Sequence, residues 1–208
     1  MKKITIVDYG SGNVLSAQKS FAKIAKDNNI EADVLISKRL NDVKDSTHVV
    51  LPGQGAFSTC MNGLKKTDGL IDELCEFALI KKRPFLGICV GMQMLANMSE
   101  ENGVHEGLGW IDGQIKLLPG DTLKLPHMGW NSLTKIRNEQ LFKNVDQNRG
   151  FYFLHSYFFD SIEYSIASCN YPNEFCCAVQ NKNIIGVQFH PEKSLSNGIS
   201  LLKNFSKM

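Results

Sequence analysis

The sequence predicts a doubly wound α/β fold, with a mostly parallel sheet laid down in the first half of the chain and antiparallel strands added in the second. Two observations carry this expectation. Between residues 4 and 88, short apolar runs alternate with stretches of helical periodicity, and strands buried on both faces belong to parallel sheets covered by helices on each side. From about residue 108 that rhythm changes to closely spaced strands and turns, as in antiparallel hairpins.

Each element follows in chain order. The β-rich runs "ITIVD" (4 to 8), "ADVLI" (32 to 36), "HVVLP" (48 to 52) and "PFLGI" (84 to 88) read as parallel strands, and "NVLSAQKSFAKIAK" and "GLIDELCEFALIKK" as two of the helices between them. "GWIDGQIKLLP", "GFYFLHSYFFD" and "YSIASCNY" read as later strands of the same sheet. "CCAVQNKNIIGVQFH" reads as a hairpin turning at Asn181 to Asn183. "SNGISLLKNFSK" closes the chain as a helix. No internal repeat, low-complexity tract or Pro/Gly/Ser-rich linker interrupts this order, so residues 1–208 read as a single domain.

Composition excludes several classes of function. Twenty-three basic and 21 acidic residues are mixed along the chain for a net charge of +2, so no basic block marks a nucleic-acid or membrane footprint. The apolar run after the first two lysines ends at Asp8, too short for a signal-peptide core or a membrane span, which gives a cytoplasmic expectation. Six cysteines without a C-x-x-C pair fit neither a disulfide framework nor a zinc site.

One cysteine stands apart. Residues 83 to 95, "RPFLGICVGMQML", run a strand into a Gly-x-Cys-x-Gly turn and then into an apolar helix. Such a turn is the sulfur version of a nucleophile elbow, where small neighbours let the chain turn sharply and hold a side chain out at the carboxyl edge of the sheet. A helix N-terminus there would favour the thiolate, which is the attacking species. The alternative is that Cys89 is a small buried residue at a tight turn.

A nucleophile needs a base held by a third group. "GVQFHPEKS" places His190 and Glu192 two apart in an extended stretch, so both can face the same way, with the carboxylate on one ring nitrogen and the cysteine opposite the other. Without a nucleophile the same residues would read as a surface His-Pro-Glu turn. "LPGQGAF" (51 to 57) follows an apolar strand and opens a helix, so the backbone N-H groups of Gln54 and Gly55 could serve a developing oxyanion. A plain glycine-rich helix cap is the other reading of that loop.

With "PGQG", "GICVGMQ" and "HPE" in that order, the chain from Ile4 nearly to its end resembles the class I (triad) glutamine amidotransferases. "DYGSGN", "PGQGAF", "LPHMGWN", "FLHSY" and "FHPEKS" look, within that family, like the glutaminase subunits of imidazole glycerol phosphate synthase. Gln54 and Val90 stand where many members carry valine and leucine. The resemblance implies a flavodoxin-like fold and a Cys89, His190, Glu192 triad that forms a glutamyl thioester from L-glutamine, with no cofactor or metal. It implies backbone oxyanion donors at Gln54, Gly55 and Val90, and a glutamine pocket lined by Gly55, Gln93, His155, Ser156 and Tyr157. It also puts Asn13, Met128, Trp130, Asn131 and Lys193 against a separate cyclase subunit that takes the ammonia in a heterodimer for histidine biosynthesis.

On residues alone, Gln93 could be a solvated helix residue, "HSY" a strand end with a buried tyrosine, Met128 and Trp130 core, and Lys193 a solvated lysine. Alternative functions are a paralogous amidotransferase subunit feeding another synthase, or a non-catalytic regulatory subunit of the same fold. A cysteine hydrolase on a related fold fits the order of the motifs less well. "DYGSGN" lacks the third glycine of a dinucleotide site and reads as a turn.

Overall fold

The computed structural model describes residues 1–120 and 124–208. Strands β1 (Lys2–Val7), β2 (Ala32–Ser37), β3 (His48–Gly53) and β4 (Phe85–Cys89) are the four expected parallel strands, connected through helices α1 (Val14–Asp27), α2 (Leu40–Lys44), α3 (Phe57–Lys65) and α4 (Leu70–Cys75). Helix α4 runs on into a π-helical turn over Glu76–Ile80, and α5 (Val90–Gln93) follows β4 directly. The second half contributes β5 (Met98–Ser99), β6 (His105–Glu106), β7 (Gln114–Leu117), β8 (His127–Asn131), β9 (Leu133–Thr134), β10 (Phe151–His155) and β11 (Tyr157–Asp160). It continues with β12 (Ser165–Tyr171), β13 (Asn173–Asn181), β14 (Ile184–Val187), a 3-10 turn over Pro191–Lys193 and helix α6 (Leu195–Phe205).

The main sheet has the order β2-β1-β3-β4-β14-β13-β12-β9. Its first five strands are mutually parallel, and β13, β12 and β9 are added antiparallel. The direction of crossover reverses between β2 and β3, so right-handed connections place α1 on one face and α2, α3 and α4 on the other. The contacts agree: α6 packs on α1, while α3 and α2 each touch α4. The periodicities explain the seating. Helix α1 buries Ala17, Phe21 and Ile24 at i, i+4 and i+7, and α3 buries Phe57, Cys60, Met61 and Leu64. Phe205 of α6 meets Phe21 edge-on at 6.2 Å, joining the last helix to the first.

The second half departs from the single-sheet expectation. Among the described residues only β9, β12, β13 and β14 join the main sheet; β10 pairs with β8, and β11-β7-β5-β6 form a third sheet. "GFYFLHSYFFD" is therefore two strands that part at Ser156, whose carbonyl accepts from Leu118 N-H at 2.9 Å. The hairpin turns through Lys182 and Asn183, within the expected segment, with Lys182 at φ 55°. Among the described residues no helix is long and apolar enough to cross a membrane.

Strands β3, β4 and β14 are neighbours and parallel, so their carboxyl ends lie side by side. The 54–56 loop leaves β3, Cys89 ends β4, and His190 follows β14 by three residues. One edge of the sheet thus gathers all three motifs.

Candidate active site

Cys89 holds φ 56° and ψ −115°, a left-handed conformation that an L-residue adopts only where its surroundings impose it. The surroundings are its glycines. A Cβ on Gly91 would collide with the Leu51 carbonyl of β3, and one on Gly87 would come within 2.5 Å of the Gly91 carbonyl. The sharp turn and close strand-helix packing therefore need both glycines. The apolar helix expected after the elbow is a single turn, Val90–Gln93. So short a helix has little macrodipole, and support for a sulfur anion has to come from side chains.

His190 supplies one such group. Its Nδ1 lies 2.9 Å from Glu192 Oε1, with both side chains buried at 3% and 2% exposure, so the pair is no surface turn. Burial alone would lower the imidazole's proton affinity, but the Cys89 and Glu192 side chains outweigh it and raise the His190 pKa to about 10. Glu192 Oε1 also accepts from Asn13 Nδ2 at 3.3 Å, which extends the line to Asn13, Glu192, His190 and Cys89.

A cavity of about 360 Å³ opens over the sulfur, at the small end of the roughly 300–1,000 Å³ usual for ligand sites. It is lined by Cys89, Val90 and His190, by Gln54 and Gly55 of the loop after β3, and by Gln93, His155, Ser156 and Tyr157. Gly55 has φ 93°, and the Gln54 carbonyl accepts from the Cys60 thiol at 3.5 Å. The N-H of Gly55, trans to that carbonyl, points the opposite way. Gln93 is 3% exposed rather than solvated, and its amide nitrogen donates to the Tyr157 carbonyl and to Gln188 Oε1.

Two residues of the site escape the sequence reading, one lining the cavity and one behind it. Glu101 reaches from beyond β5 to accept the Phe57 N-H at 2.7 Å, capping α3, and faces the cavity beside Gln93. Gln188 lies fully buried behind the sulfur, with its Nε2 3.7 Å from Cys89 Sγ. Gln188 had a signal of its own, a polar residue in the buried run "IIGVQF", which demands a partner.

Buried His155 donates through Nδ1 to the Tyr157 carbonyl at 2.8 Å, so its Nε2 accepts from His127 Nδ1 at 3.1 Å. Burial pushes the two imidazoles down to about 3 and about 4, so both are neutral at pH 7. Beyond His127 lies a surface. Met128 is 66% and Trp130 52% exposed, which removes the core reading for both. The Trp130 ring meets Tyr152 edge-on at 6.2 Å, and exposed Lys193 lays its Nζ 5.8 Å from the Tyr152 ring centre. Asn131 is half-buried, donating to the Asn170 carbonyl at 2.8 Å.

The arrangement can deprotonate a thiol, pass the proton on and hold an acyl group in the cavity, which is the chemistry of acyl transfer. Comparison with known proteins agrees. The family model "Glutamine amidotransferase class-I" matches residues 5–208. "Imidazole glycerol phosphate synthase subunit HisH" of Rhodospirillum rubrum is 42% identical over 208 residues, covering 98% of this chain and 97% of the relative. The protein of the same name from Bdellovibrio bacteriovorus is 44% identical over 211 residues, covering 99% and 100%. Among solved structures, a glutamine amidotransferase from Thermotoga maritima superposes with a TM-score of 0.59 at 20% identity, covering 92% of this chain and 76% of that one, a likeness of fold. With its elbow, its His-Glu pair and a family match along nearly all of its length, the chain belongs to the class I glutamine amidotransferases.

Proposed function

We propose that the chain, acting as one domain over residues 1–208 in the cytoplasm, is the glutaminase subunit of an imidazole glycerol phosphate synthase. It hydrolyses L-glutamine to glutamate and passes ammonia to a separate cyclase subunit, its heterodimer partner in histidine biosynthesis. The observation that carries the reading is the joint lining of one cavity by Cys89 on a left-handed elbow and His190 backed by Glu192. Full-length likeness to subunits of that name supports the pathway.

His190 takes the Cys89 proton, and the sulfur attacks the side-chain amide carbon of glutamine, forming the C-S bond. Backbone N-H groups of Gln54, Gly55 and Val90 receive the oxyanion; one such donor is worth about 3 kcal/mol. His190 then protonates the departing nitrogen, the C-N bond breaks and ammonia leaves. Water, deprotonated by His190, attacks the thioester carbonyl, and glutamate leaves as the C-S bond breaks. A raised His190 pKa suits this cycle, since an imidazole of high proton affinity can draw the proton from the thiol. Glu192 holds the ring for each of these transfers.

The partner-facing assignment rests on the exposed Met128, Trp130 and Lys193, which lie on a surface whose strand β10 bonds directly to the triad. The Tyr152 carbonyl accepts from His190 N-H at 2.9 Å. The deciding experiment mixes the chain with a histidine-pathway cyclase and its nucleotide substrate and measures glutamine-dependent formation of imidazole glycerol phosphate. Glutamine hydrolysis without that product would instead assign the chain to another synthase.

A further inference from the structure

Behind the nucleophile, Gln188 joins the last strand of the parallel set to His190, and its side chain is 0% exposed. A buried primary amide is tolerated only when its donors and acceptor are paired. Gln188 Oε1 accepts from Gln93 Nε2 at 3.0 Å, and Gln188 Nε2 donates to Cys89 Sγ at 3.7 Å.

The direction of these bonds is set from outside the pair. Gln93 Nε2 also faces the Tyr157 backbone carbonyl at 3.1 Å, and a carbonyl can only accept. The Gln93 group there must be its NH2. The second hydrogen of that NH2 goes to Gln188, which must present its oxygen and so keeps its own NH2 for the sulfur. His155 Nδ1 donates to the same Tyr157 carbonyl at 2.8 Å and helps to fix the origin of the chain.

We infer that Gln188 is a positioning residue for the glutaminase reaction: a one-way chain of hydrogen bonds from the Tyr157 carbonyl through Gln93 and Gln188 gives the Cys89 sulfur a fixed donor and turns the Gln93 oxygen toward substrate. The inference rests on the function proposed above. Each end of the chain has a consequence. At the sulfur, an N-H donor stabilises the thiolate where the one-turn α5 cannot, and holds the sulfur in place for attack. At the cavity, Gln93 has both amide hydrogens engaged in the wall and can offer only an acceptor, which suits the α-ammonium of an amino acid and disfavours its α-carboxylate.

Two variants of the full chain separate the two ends. Gln188→Glu keeps the shape and still accepts from Gln93, but turns a carboxylate oxygen toward the sulfur. Gln188→Met keeps the bulk and removes donor and acceptor together. The readouts are the pH profile of Cys89 alkylation by iodoacetamide, located by mass spectrometry, and kcat and KM for glutamine with the cyclase present. The other titratable groups facing the sulfur, His190, Tyr9 and Cys60, and Glu101, His155 and Tyr157 in the same cavity, are unchanged in both variants.

For Gln188→Glu the alkylation rate at pH 7 is expected to fall about tenfold, one pH unit in the profile, with kcat falling similarly and KM within about twofold. For Gln188→Met a smaller alkylation change should accompany a KM raised about tenfold, the size of one lost hydrogen bond. A folded Gln188→Glu chain with the wild-type profile and kcat overturns the inference. Should neither variant fold, the side-chain amide resonances of Gln188 in wild type decide: they must shift when Cys89 is alkylated, and unshifted signals overturn it. Altered alkylation profiles in a chain that never hydrolyses glutamine would sink the glutaminase reading and leave the bond chain standing; full glutaminase activity with unaltered profiles would do the reverse.

Discussion

Glu192 shows how a buried carboxylate works at one remove from the reaction. Its Oε1 is shared by His190 Nδ1 at 2.9 Å and Asn13 Nδ2 at 3.3 Å, so the imidazole keeps Nδ1 protonated and turns its other nitrogen toward the sulfur. Glu192→Gln removes the charge while retaining the shape, and steady-state kinetics is expected to show kcat for glutamine lowered at least about a hundredfold with KM little changed. An unchanged kcat at saturating glutamine would show that the carboxylate does not orient the base. Asn13→Ala, which leaves the charge and deletes one donor, should lower kcat by a smaller factor, about fivefold to tenfold for one hydrogen bond.

The elbow is where sequence and packing meet most tightly. A Cβ at Gly91 would run into the backbone carbonyl of Leu51, which no rotamer change can relieve. Gly91→Ala should therefore cost at least about 2 kcal/mol, lowering the melting temperature by about 5 °C or more for a chain of this length. A melt within about 1 °C of wild type would mean that β3 and the elbow are not held together as closely as described. This element was legible in the sequence because its signal is local: a strand, two glycines and a cysteine within a few residues. The parallel strands were legible for the same reason, since apolar runs declare burial on both faces. The rest lay in long-range pairing. Gln93 meets Gln188 across 95 residues, Glu101 caps Phe57 across 44, and Asn13 reaches Glu192 across 179. The division of the second half into three sheets was hidden too, because the break at Ser156 falls on the polar pair "HS" between two apolar runs and carries no Gly or Pro turn signal.

Across the molecule, buried titratable groups set a pH window for stability. In the folded chain burial keeps His48, His127 and His155 neutral down to about pH 4, 4 and 3, whereas unfolded imidazoles bind protons from about 6.5 downward. The unfolded state then binds more protons, and stability should fall as pH drops below 6.5, by at least about 1.4 kcal/mol per pH unit. His190 acts in the opposite sense: its contribution is fully present below 6.5 and is lost as pH rises toward about 10. Urea midpoints from pH 4 to 10 should peak near 6.5, with a flatter alkaline limb once Cys89 is alkylated; a steady rise to pH 9 would contradict this assignment. If the exposed face receives the proposed cyclase, it offers a route to control of turnover. Trp130 and Lys193 lie against Tyr152, whose carbonyl accepts from His190 N-H, and Met128 is exposed on the same strand as Trp130, while the 54–56 loop turns on Gly55 at φ 93°. A loop with its donor turned away at rest would lack one oxyanion bond, a deficit of about 3 kcal/mol or two orders of magnitude in rate. A partner can correct that only by binding the competent loop better than the resting one. The isolated chain should hydrolyse glutamine slowly, and cyclase carrying its nucleotide should raise kcat about a hundredfold. Lys193→Ala should blunt the rise while leaving the basal rate of the isolated chain near wild type, because its ammonium rests against Tyr152 outside the cavity. Full activity in the isolated chain, unmoved by cyclase or nucleotide, would refute the gating and leave the triad chemistry intact.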